Sequence, residues 1–199
     1  GPTGTLTMPS AGSGFVTLGR GLENQGTTTW TGNQFNFSSG QFLNTGLFTA
    51  NVASGITIQS FGVGGTNNRF TNQGTFRKHG AGTAQFTTST NGVAFDNTST
   101  VVNAVDVQAG TLSLVASGTH TGDFTLSATA VLDLNGTHVF GATSDVTGTT
   151  PSSTGIVQVS GGASTFGGTL TPGTLVILNG AATVNVAAQI SSLVLNNGT

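Results

Sequence analysis

The chain has 199 residues, a formal net charge of −2, only 5% charged residues, 32 Gly, 4 Pro and no Cys. That length suits one domain with a continuous core, and the absence of Cys excludes a disulfide framework or a Cys-based metal site. Four basic side chains, Arg20, Arg69, Arg77 and Lys78, are too few and too scattered to hold nucleic acid or an anionic membrane surface.

Disorder is also disfavoured. Disordered chains combine low hydrophobicity with high charge, whereas here Val, Leu, Ile and Phe recur in short alternating runs. No apolar stretch approaches the ~20 residues that span a bilayer, and no signal peptide is recognisable.

In chain order, Gly1-Pro2 has the form of a protease scar, and residues 1–13 read as an N-terminal edge segment. From Leu22 a phrase recurs. Leu22-Glu23-Asn24-Gln25-Gly26-Thr27 is echoed by Phe42-Leu43-Asn44-Thr45-Gly46-Leu47, by Phe70-Thr71-Asn72-Gln73-Gly74-Thr75 and, degraded, by Phe95-Asp96-Asn97-Thr98-Ser99-Thr100. The apolar first residue is expected to face the core. Gly two places after Asn is expected to permit a left-handed corner. The Asn side chains either form a ladder from coil to coil or sit in plain surface turns. Phe42, Phe70 and Phe95 predict a core aromatic ladder at a spacing of ~4.8 Å, with an exposed aromatic strip as the alternative. The Gly-rich stretch 62–66 lacks the Lys and the following helix of a phosphate loop.

The second half carries two apolar columns. One runs Val105/Val107, Phe124/Leu126, Val146, Phe166 and Val184/Val186. The other runs Leu112/Leu114, Leu132/Leu134, Val157/Val159, Leu175/Ile177 and Leu193/Leu195. Most members are pairs at i, i+2, the spacing that puts two strand side chains on one face. Two short strands and a corner in each coil, repeated in step, describe a solenoid. The expectation is all-β, a parallel β-helix (β-solenoid) with coils of about 18–28 residues, almost without helix. A β-sandwich or jelly roll is the alternative. Asn197-Gly198-Thr199 falls within the recurring pattern, so residues 1–199 are expected to be a single solenoid fragment of a longer protein.

Candidate chemistry is sparse. The acidic residues are Glu23, Asp96, Asp106, Asp123, Asp133 and Asp145. Asp123 and Asp145 are expected on adjacent coils, as a hydrolytic pair or as solvated corner residues. No Lys or Arg follows Lys78, which removes the cation a lyase would use. His120 and His138 stand in matching Gly-Thr-His phrases, and with Asp123 they are the candidate ligands for a divalent transition metal. A repeated surface corner is the alternative. Trp30 stacks on a sugar if exposed, or closes an early coil if buried. Thr5-Leu6-Thr7, Thr29-Trp30-Thr31 and Thr169-Leu170-Thr171 match an ice-binding Thr-x-Thr pattern locally but are not expected in adjacent coils. No catalytic residue and no cofactor are expected.

The run Thr71-Asn72-Gln73-Gly74-Thr75-Phe76-Arg77-Lys78, with Gly80-Ala81-Gly82-Thr83 after it, resembles a phrase of very large repetitive bacterial surface proteins. So does Val105-Asp106-Val107-Gln108-Ala109-Gly110-Thr111-Leu112-Ser113-Leu114. From about Leu22 onward the chain resembles the β-solenoid repeats of autotransporter-like and filamentous-haemagglutinin-like adhesins. That resemblance implies export, a right-handed parallel β-helix and a structural stalk or adhesive role at the cell surface or outside the cell. Implied partners are host or neighbouring-cell surface glycans or proteins, and other solenoid segments of the same chain. A carbohydrate-binding or carbohydrate-active module and an ice-binding solenoid are the alternative functions.

Overall fold

The structure is a computed structural model, and it describes residues 4–8, 14–32, 34–60, 67–87, 92–149 and 155–197. Gly1-Pro2, much of the 1–13 segment, the Gly-rich stretch 62–66 and the final Gly198-Thr199 lie outside the described residues.

Twenty-five short strands and no helix are found among the described residues. They form three parallel sheets, in which each strand bonds to those three places before and after it in the chain over nearly the whole length. Eight strands, from Thr5–Met8 to Leu170–Thr171, make the first face. Nine, from Phe15–Leu18 to Ser192–Leu195, make the second. Eight, from Gly21–Asn24 to Ala181–Val184, make the third. The chain is a β-solenoid of about eight turns. Register steps vary from 18 residues (Thr174 to Ser192) to 29 (Phe76 to Val105).

Each turn therefore holds three strands, not the two expected from sequence. Strands such as Gly118–His120 and His138–Phe140 went unseen because they bury Gly and His at column positions. The expected first column also mixed two faces. Val146 continues to Leu170 on the first face, while Phe166 aligns with Phe140 and Val184 on the third. The second column holds in full, from Leu112/Leu114 through to Leu193/Leu195. Its last pair is exposed, as are Val184 and, at the other end, Leu22, because no further coil covers them in this structure. Alternation governs the rest, with Phe76 and Lys78 inward and Arg77 outward.

The core is a narrow tube of stacked side chains. Phe42, Phe70 and Phe95 form the expected ladder, with ring centroids 4.9 and 5.5 Å apart and interplanar angles of 8° and 14°. Phe48 and Phe76 stack on the neighbouring face at 5.4 Å, and the two columns meet edge to face. Each fully buried Phe contributes ~1.5–3 kcal/mol of hydrophobic stabilisation.

The Gly of the Asn-x-Gly phrase has a different reason from the one expected. Gly26, Gly46 and Gly74 are not among the residues with positive φ. A Cβ on Gly46 would lie 2.1 Å from the carbonyl oxygen of Gly26, and one on Gly74 would lie 2.2 Å from that of Gly46. Close approach of one coil to the next demands these glycines. The left-handed corner belongs instead to residues such as Gly110, at φ 66°.

Candidate functional site

The inner side of the third face holds a column of buried amides and two buried His. Asn24, Asn44, Asn72 and Asn97 stand in one column. Each Nδ2 donates to the Oδ1 of the next, at 2.7, 2.7 and 3.0 Å. The second amide hydrogens reach the carbonyls of Leu47, Thr75 and Ala104, and Asn97 reaches that of Asp123. The asparagines thus form a buried ladder rather than surface turns. A fully partnered chain of amides offsets the cost of burying them and fixes the register of the coils.

This ladder stops at Asn97, whose register partner is His120. Beyond it the same column carries Phe140, Phe166 and Val184. The adjacent Phe column changes at the same level. Phe95 is followed by Gly118, then His138, Ser164 and Ala182. The Gly-Thr-His phrases are therefore offset by two residues, because His138 pairs with Gly118 and not with His120. Gly118 has no side chain, and that leaves room for the two rings to meet. His120 Nε2 lies 3.1 Å from His138 Nδ1, and His138 Nε2 lies 3.0 Å from the Leu114 carbonyl. The ring centroids are 5.4 Å apart at 12°. That separation exceeds the N···N distance by about two ring radii, so the rings meet edge to edge in nearly one plane.

The carbonyl of Leu114 can only accept, which fixes the tautomers. His138 donates through Nε2–H, and its Nδ1 accepts from His120 Nε2–H. Both rings are neutral. His120 Nδ1 is a buried acceptor with no partner. Burial, and then the neighbouring His138, hold His120 well below the usual imidazole range. Burial lowers His138 to about 4, partly offset by the Leu114 carbonyl and by Asp133.

The three residues proposed from sequence as metal ligands do not converge. Asp123 Oδ1 accepts from the backbone N–H of Asp145 at 3.1 Å, and Asp145 Oδ1 accepts from that of Thr169 at 2.7 Å. These carboxylates do lie on successive coils, where they bond the backbone of the next turn. Among the described residues no three His, Cys, Asp or Glu side chains could hold an ion together. Trp30 is 1% exposed, set between Met8 and Ala50 on the first face, and offers no face to a sugar.

Lys78 is the polar residue that sequence reading missed. It is inward and fully buried, level with Ala50 and Val107. Its Nζ donates to the carbonyls of His79, Gly80 and Ala109 at 3.2, 2.7 and 2.9 Å, which ties its own corner to the next coil. Burial lowers its pKa to about 8. Its signal was present in the alternation, since Phe76 and Lys78 are two apart.

Outside, two ion pairs form among the described residues, and Asp133 is held by neutral donors. Arg69 bonds Asp96, Arg77 Nε lies 3.2 Å from Asp106, and Asp133 accepts from Ser113, Gln158 and Ser160. On the first face Thr5-Leu6-Thr7 lies in register on Thr27-Thr28-Thr29, an adjacency the sequence reading lacked because it had chosen Thr29 to Thr31. The row is interrupted by Leu47 and by the Arg77–Asp106 pair.

No family model, no curated protein and no solved structure matches the chain.

Proposed function

We propose that this chain is a structural stalk or adhesive segment of an exported bacterial surface protein, and that it carries out no catalysis. One observation carries the reading. Many of the polar groups able to do chemistry hold the coils together: four Asn in a ladder, one oxygen each of Asp123 and Asp145 on backbone N–H groups, Lys78 on three carbonyls. An enzyme on such a scaffold needs carboxylates free to face a substrate. The partners would be surface glycans or proteins, or further solenoid segments, and the location outside the cell or on its surface.

A stack of about eight coils at ~4.8 Å each extends ~40 Å. An epitope fused after the last coil, displayed from an N-terminal membrane anchor, should therefore stand ~40 Å further from the membrane than the epitope alone. Distance-dependent fluorescence quenching measures this. An unchanged distance would overturn the stalk. Reducing-end release from bacterial or plant polysaccharides, abolished by Asp123→Ala, would overturn the absence of catalysis.

A further inference from the structure

Both internal ladders of the third face end at one level. The amide column stops at Asn97 and the Phe column at Phe95. Gly118 contributes no side chain at the next rung, and the rung after that holds His138 against His120. Aromatic stacking resumes with Phe140 on Phe166 at 4.9 Å. The solenoid thus has a rung where both ladders are interrupted and where a pair of bases is fully enclosed. Each coil of a solenoid contacts only its neighbours, so such a rung opens without melting the whole.

We propose that the His120–His138 pair is an acid-sensitive break point, at which protonation opens the solenoid between two halves that stay folded.

The proton count makes the case. In the neutral pair one N–H lies between the rings and one reaches Leu114. A first added proton, on His138 Nδ1, requires His120 to turn Nε2 into the acceptor by moving its own hydrogen to Nδ1. That hydrogen then faces the core without a partner, and the charge is buried. A second proton sets two N–H donors against each other at 3.1 Å. Nothing near His120 compensates, since its ring neighbours are Phe95, Phe124 and Phe140. The one charged group acting on His138 is Asp133, and it offsets burial only in part. Asp96 and Asp123 accept from Thr119 and from the Asp145 N–H, so neither is turned toward the pair. Opening returns both rings to water.

The sign follows. Both folded values lie below the free-imidazole value of 6.5, so the opened form binds more protons at mildly acid pH. The closed form is favoured above that value and loses ground as pH falls from 6.5 toward 4. His138 alone favours opening by roughly 10²-fold at pH 4.5 relative to pH 7.5.

Hydrogen exchange read by mass spectrometry, corrected for intrinsic rates, tests this at the two pH values. Protection should fall by at least ~10²-fold at pH 4.5 in peptides covering 118–140, and by less in those covering 42–76 and 156–177. The variant His120→Asn/His138→Gln, which places a non-titrating amide at each position, should remove the difference. Uniform loss, or the same local loss in the variant, would overturn the proposal. If the variant does not fold, the imidazole NMR titration of the natural protein decides. Both rings should stay neutral down to pH 5, and titration of either near 6.5 would overturn it.

Discussion

Lys78 allows an unusually clean measurement, because the sequence contains no Tyr, no Cys and no other Lys. Above pH 8.5 the only side chain that changes charge before the arginines is this one. Its ammonium is held by three carbonyls, yet burial lowers its pKa from 10.5 to about 8. Between those values the unfolded chain keeps the proton and the folded chain has released it. The unfolded state then binds more protons, so stability must rise with pH. The stabilisation is complete above about 10.5 and lost as pH falls through about 8. A full shift of that size corresponds to about 3 kcal/mol. Screening at a corner close to solvent reduces this to about 1–2 kcal/mol between pH 8 and 10. Urea melts followed by circular dichroism across that range measure it. The midpoint should rise with an unchanged m-value, and Lys78→Met should abolish the rise. A flat or falling midpoint in the natural protein would refute the assignment of Lys78 as a buried amine.

Asn72→Ala should cost ~2–4 kcal/mol, since it leaves one N–H of Asn44 Nδ2 and the Oδ1 of Asn97 without their partners, while the Ala104 carbonyl keeps the Phe76 N–H. Thr71→Ala on the outer side should stay within ~0.5 kcal/mol, and equal costs in urea would show that the ladder is not the stabilising element. Leu134→Ala should cost ~2–5 kcal/mol as a cavity in the second column. The intervening Asp133 accepts from three side chains, so Asp133→Ala should cost ~1–2 kcal/mol. A larger cost at Asp133 than at Leu134 would mean that the strand faces are reversed.

What the sequence determined was the repeat and much of its register. Pairs such as Leu112/Leu114 and Leu132/Leu134 mark one inward face at coil spacing, and an i, i+2 pattern admits only one such face. The Phe42–Phe70–Phe95 ladder followed from the same logic, because stacked coils bring equivalent side chains within van der Waals reach. Tertiary structure decided the rest. The third strand of each turn is hidden in a linear reading wherever its inward positions hold Gly, Ser or His, since their burial depends on what stacks above and below. The Asn phrases were visible, but an amide is a turn former or a ladder rung according to whether another amide lies one coil away. His120 and His138 looked equivalent by local phrase. The actual offset of two residues comes from the path of the intervening corner, and it places one ring in the amide column and the other in the aromatic column. Lys78 was counted in the sequence only as one of four scattered cations, and Lys is almost always exposed. Only the closed corner, with three carbonyls turned toward one nitrogen, makes its burial tolerable, and no property of the sequence near Lys78 encodes the position of Ala109 one coil later.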